Sequence, residues 1–303
     1  MRTLSNLFLF LVFLAFATSC LAGTVIQDRH SIIVSDKGSL DIANHFLKKF
    51  PQIKTEVEGS LGLRLQSRPT LKLVENPTEF EKMSGSPYIA AFAVPHKSLI
   101  VMRTSPADLS NLLLLNDTLK HELCHLVLHE NITGSNLPKW LDEGVCQWVS
   151  GTIGEFLVQG NFAPMDFNRD EIPLATLSGR FPDERRKLAL AYWQSRTFVQ
   201  YLSAHYGRKS VISILQSLKA GEDIDSALAS NLNRTLKTLE SSWRRSQSGL
   251  NMLLIWLSQY LYEIIFFLAA LLAVLSFIWR KAFISRRYQD ENDEEDENED
   301  YLM

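Results

Sequence analysis

His121-Glu122-Leu123-Cys124-His125, followed downstream by Trp140-Leu141-Asp142-Glu143-Gly144, is the stretch on which the reading of this chain turns. Residues four apart on a helix project from one face about a turn apart, so both imidazoles can reach a single ion. Zinc takes nitrogen and oxygen ligands, and its catalytic sites combine three protein ligands with a water. Glu122 is rotated about 100° from His121 around the helix axis. It is badly placed to be a ligand and well placed to take a proton from a zinc-bound water, whose pKa the metal lowers to about 7. The third ligand has to come from a second segment. Glu143 supplies it: the loop 131–138 can reverse the chain, Pro138 suits the first turn of a helix, and Gly144 leaves room for close packing. The expected metal set is therefore His121, His125 and Glu143 around Zn2+, with Glu122 catalytic and no organic cofactor site.

The competing readings are weaker. A bare HExxH motif turns up in unrelated helices, and its bland form is an amphipathic helix with two solvated histidines. Here Leu119, Leu123, Leu126 and Val127 surround the motif with apolar side chains, and charged groups buried among them need partners, which a metal provides. A metzincin would place a third histidine six residues after His125, where this chain has Asn131. His129 lies a further turn along the same straight helix and diverges from the ion, so it is expected beside the site or at the surface.

Outward from the motif, the helix is expected over Leu115–His129, and a second one from Pro138 through Trp148. Upstream, residues 38–62 have helical spacing interrupted by Pro51. Thr70–Val74 alternates like a strand, Pro77–Met83 reads as a short helix, and Tyr88–Val94 with Ser98–Arg103 reads as a hairpin or a sharply bent strand around Pro95-His96-Lys97. Downstream, residues 151–183 are dotted with Gly and Pro. Lys187–Tyr206 is a strong helix ended by Gly207, Ser210–Lys219 and Ile224–Leu232 are shorter ones, and Leu236–Ser246 leads into the second apolar run. Strands first and helices afterwards give an α+β domain.

The ends of the chain speak to location. Arg2, an apolar run from Leu7 to Ala17 and small residues after it form a secretory signal over residues 1–22, with cleavage after Ala22. Lipidation at Cys20 is an alternative with a poor sequence match. The second apolar run, Leu253–Trp279, is long enough to span a bilayer, and Tyr260, Tyr262 and Trp279 suit its interfaces. Arg280, Lys281, Arg286 and Arg287 follow at once. The positive-inside rule then puts the C-terminus in the cytoplasm and the domain outside. Residues 280–303 form a basic, then acidic, unfolded tail, with nine acidic side chains between 290 and 300. The net charge is −3 over 303 residues, with no dense basic stripe, which leaves nucleic-acid binding without electrostatic support. Cys124 and Cys146 read as two buried thiols, with one disulfide as the alternative in an oxidising compartment. The three sequons, at Asn116, Asn131 and Asn233, read as chance matches.

The pairing of His121-Glu122-x-x-His125 with Pro138-x-Trp140-Leu141-x-Glu143-Gly144 resembles the gluzincin metallopeptidases of the peptidase MA-like group. Leu190-Ala191-Tyr192-x-x-Ser195-x-x-Phe198-Val199-x-Tyr201-Leu202, His205-Tyr206-Gly207 and Leu239-Glu240-x-x-Trp243 extend the resemblance over roughly residues 65–245. It implies a zincin-like fold: a small N-terminal mixed sheet with an edge strand over the cleft, an active-site helix as its floor and a helical C-terminal half. A peptide or protein substrate would pair with that edge strand. It also implies an oxyanion donor from the helical half. Tyr192 is the candidate, against the alternative of a tyrosine packed beside Trp193. Two departures stand out. Aminopeptidase-N-like relatives carry an acidic Gly-x-Met-Glu-Asn element that grips a free amino end, and Tyr88–Val94 has no acidic residue. Thermolysin-like relatives carry an Asp four residues after the ligand glutamate, where this chain has Gln147, a candidate support for a ligand imidazole.

The organisation expected is thus a signal (1–22), an N-terminal helical region (23–64), a metallopeptidase domain (65–248), a membrane span (253–279) and a tail (280–303). The activity expected is that of a membrane-anchored zinc endopeptidase. The alternatives are a silent zincin-fold binding protein and a zinc hydrolase of a non-peptide amide.

Overall fold

The computed structural model describes residues 23–86, 89–132, 135–151, 172–247 and 260–300. Residues 1–22, expected to be a signal, residues 152–171 and the first part of the C-terminal apolar run lie outside them. The described residues of Met1–Trp243 form one compact unit, and those of Arg244–Met303 another.

Five strands make one mixed sheet: β1 (Thr24–Gln27), β2 (Ile32–Ser35), β3 (Thr70–Val74), β4 (Ala91–Val94) and β5 (Leu99–Arg103). Their order is β1-β2-β3-β5-β4, with β4 at one edge. β1 and β2 run antiparallel, as do β4 and β5, while β2–β3 and β3–β5 are parallel. A parallel pair needs a crossover, and α1 (Leu40–Leu61) provides it between β2 and β3. Residues 23–64, read from the sequence as an N-terminal helical region, also carry β1 and β2. Four residues per strand, without clean alternation, give too short a signal to separate from loop.

α1 runs unbroken past Pro51. A proline inside a helix costs about 3 kcal/mol. Ile42, Phe46, Phe50, Ile53, Val57 and Leu61 are all buried along one side, at about 1.5–3 kcal/mol each, and outweigh it. The sheet separates two cores by its period of two. Leu71, Leu73, Ile100 and Met102 face the main core, while Val74 and Val101 face Phe80 of α2 (Pro77–Ser84) in a small one.

Beyond the sheet the chain is helical: α3 (Leu112–Asn131), α4 (Lys139–Ser150), α5 (Arg185–Tyr206), α6 (Arg208–Lys219), α7 (Ile224–Leu232) and α8 (Leu236–Gln247). α3 starts three residues before the expected Leu115, because the Asn111 side chain accepts the Leu114 N–H and caps it there. Trp140, Phe198 and Trp243 stack edge-to-face in sequence and tie α4, α5 and α8 together.

The second unit contains α9 (Leu261–Asp300). Its Leu261–Lys281 section is long and apolar enough to cross a membrane. Phe266, Phe267, Leu272 and Trp279 are exposed along it.

Candidate metal centre

α3 is buried on most of its circumference, so the polar groups it carries inward must find partners. His121 and His125 sit one turn apart on it, their rings edge-to-face at 4.9 Å. α4 packs across it and delivers Glu143 from its second turn. On its other side Gly144 lets α4 lie close against α5: a Cβ there would collide with the Ser195 carbonyl oxygen and come within 2.8 Å of Val199 Cγ2.

The three groups converge. His121 Nε2 lies 3.2 Å from His125 Nε2, 3.5 Å separate His121 Nε2 from Glu143 Oε2, and 3.6 Å separate His125 Nε2 from the same oxygen. Donors at tetrahedral positions 2.0–2.1 Å from zinc stand about 3.4 Å apart, so this near-equilateral triangle has the right size. Glu143 Oε2 is buried and has no hydrogen-bond partner among the described residues. Such an atom is costly unless an ion completes it, and the donor set fits zinc.

A second layer of side chains holds the three convergent groups. Asp142 Oδ1 accepts from His125 Nδ1 at 2.7 Å, which leaves the Nε2 lone pair for an ion. Its other oxygen is 3.0 Å from His129 Nε2. Lys139 Nζ lies 2.7 Å from Glu143 Oε1. The imidazole support expected from Gln147 is a correction: its amide donates to the Tyr192 backbone carbonyl at 3.3 Å, and the neighbouring Asp142 supports His125 instead. Sequence reading passed over Asp142 and Lys139. Their signals were the shared helix face of residues 139 and 143 and the carboxylate directly before the ligand.

The electrostatics are dominated by clustered carboxylates. Burial opposes a charge on His125, but Asp142 and Glu143 outweigh it and raise its pKa to about 10. Burial likewise works against the Glu143 carboxylate, and Lys139 and His125 bring it down to about 2. Burial and the nearby carboxylates push the Tyr192 hydroxyl well up, so it stays protonated against Glu143. Burial and Cys124 push the Cys146 thiol up.

The cleft has a volume of about 750 Å³. Glu122, Tyr192, His96 and the β4 residues Ala91–Ala93 line it together with the three convergent groups. Glu122 is 7% exposed. Cys124 and Cys146 are free and buried. His125, Asp142 and Cys146 form a second cluster of ligand atoms, but it uses the His125 nitrogen already committed to Asp142. It is the poorer site.

Residues 58–249 match the family model of the Peptidase MA superfamily, and the match spans the HExxH helix, the Trp-Leu-x-Glu-Gly segment and the later helical motifs. No curated protein matches the sequence. Among solved structures, the M1 zinc metallopeptidase from Deinococcus radiodurans is similar, with a TM-score of 0.46 and 13% identity. A mutant of that enzyme has a TM-score of 0.43 at the same identity. In each case the alignment covers 73% of this chain and 50% of the other, so the chain spans half the length of those structures.

Proposed function

This chain belongs to the Peptidase MA superfamily, and on that premise we propose that it is a membrane-anchored, zinc-dependent endopeptidase. The observation that carries the reading is the 3.2–3.6 Å triangle of His121 Nε2, His125 Nε2 and Glu143 Oε2, with Glu122 beside it in the same cleft.

His121, His125 and Glu143 hold the zinc. When bound, the metal polarises the scissile carbonyl and acidifies a water. Asp142 fixes the His125 ring through Nδ1, so the ring presents Nε2. Glu122 takes the water's proton on its carboxylate and returns it to the leaving amine. The Tyr192 hydroxyl, protonated at any working pH, donates to the oxygen on which negative charge develops. An extended peptide adds to the unpaired edge of β4 through its backbone. Residues 89–94 carry no carboxylate to grip a free amino end, which favours internal cleavage.

Leu261–Lys281 anchors the chain. Arg280, Lys281, Arg286 and Arg287 keep its C-terminal side cytoplasmic, so the cleft works outside.

The test is Glu122→Gln with zinc content measured alongside cleavage of an unfolded protein. Zinc should stay stoichiometric while turnover falls by about 10²–10⁴-fold. Undiminished turnover in the zinc-loaded variant would refute the role of Glu122.

A further inference from the structure

Asp142 and Glu143 bring four carboxylate oxygens to the site, and three of them have a partner. Asp142 Oδ1 accepts from His125 at 2.7 Å, and Asp142 Oδ2 is 3.0 Å from His129. Glu143 Oε1 is 2.7 Å from Lys139 Nζ. Among the described residues Glu143 Oε2 has no hydrogen-bond partner, and it is the one of the four that faces both imidazoles. Lys139 is 3.8 Å from Asp142, outside hydrogen-bond reach, so its ammonium is committed to a single oxygen.

Local helix physics does not explain a lysine here. Lys139 is the first residue of α4, where the positive end of the helix dipole disfavours a cation. Lys followed by Glu four residues later is also the poorer order for a helical ion pair. Its side chain lines the cleft and is 38% exposed. The contact it makes has one consequence for an ion: it withholds one of the two oxygens with which a carboxylate could chelate.

We propose that Lys139 is a positioning residue that keeps Glu143 a one-oxygen ligand and so holds a coordination place open for water and substrate. The proposal rests on the zinc peptidase reading given above. Without the ammonium, Oε1 is free to turn inward and add a fifth donor beside Oε2, crowding the place that catalytic zinc sites keep for water and substrate.

The experiment replaces zinc with Co2+ in the full chain and records visible absorption for wild type, Lys139→Met, Lys139→Gln and Lys139→Arg. Circular dichroism confirms folding, and the Gln variant serves where the Met variant fails to fold. Wild type and K139R should show the intense bands of a four-coordinate ion. K139M and K139Q should bind Co2+ yet show the several-fold weaker bands of a five-coordinate one. Their turnover with zinc should fall about 10–100-fold, in the range of losses from an outer-shell partner, with K139R restoring most of it. Wild-type bands already five-coordinate, or K139M and K139Q identical to wild type in spectrum and rate, would overturn the proposal while leaving the peptidase reading intact. Failure of the wild type to take up Co2+ or zinc at all would bring down that reading, and this proposal with it.

Discussion

His125 is the most constrained side chain in the cleft. Its Nδ1 is 2.7 Å from Asp142 and its Nε2 faces His121 and Glu143. In the metal-free chain its folded pKa of about 10 exceeds the ordinary 6.5. A raised pKa on a protonated group stabilises the fold fully below the unfolded value and loses that contribution as pH rises through the folded value. Glu143, lowered from 4.5 to about 2, acts on the other limb: its contribution is present above 4.5 and vanishes as pH falls toward 2. The melting temperature of chelator-treated protein should therefore decline between pH 6.5 and 10. Zinc must displace the His125 proton, so zinc affinity should climb over the same range. Calorimetry with and without chelator checks both, and a pH-independent difference between the two forms would contradict the assignment. Asp142→Asn should weaken zinc binding by about 10–100-fold, because the amide cannot hold the His125 ring as a carboxylate does. Competition with a chromophoric chelator measures it, and unchanged affinity would remove Asp142 from the site.

At the level of elements, the site is a product of how closely α4 lies against α5. Gly144 permits that approach. Gly144→Ala should cost about 1–3 kcal/mol by overpacking, read as a lower urea midpoint. The displaced helix should carry Glu143 away from the imidazoles, so zinc affinity should drop as well. An alanine variant as stable and as tightly metallated as wild type would show that the contact yields cheaply. Much of this was legible beforehand. The HExxH helix, β3, the β4–β5 hairpin, α7 and the Gly207 stop all follow from period and punctuation, since each is a strong local signal. What escaped depends on contacts distant in sequence. β1 and β2 are too short to signal alone and exist because β3 offers an edge. α1 survives Pro51 because the sheet covers its apolar side. The role expected of Gln147 falls to Asp142 because the geometry between α3 and α4, invisible in one dimension, brings residue 142 to His125.

At the scale of the whole molecule, one compact unit holds a cleft with metal-binding geometry, and the other contains a 21-residue apolar-rich section of α9, Leu261–Lys281. At 1.5 Å per residue that section measures about 31 Å, the thickness of a bilayer's hydrocarbon core. The full chain should stay with membranes through alkaline carbonate extraction, and a chain ending at Gln247 should not; release of the full chain would refute the anchor. The central claim concerns the ion. Anomalous diffraction at the zinc edge from the zinc-loaded protein should show one zinc about 2.0–2.2 Å from His121 Nε2, His125 Nε2 and Glu143 Oε2. A zinc held instead by His125 Nδ1, Asp142 and Cys146, or no zinc in the cleft at all, would contradict the account.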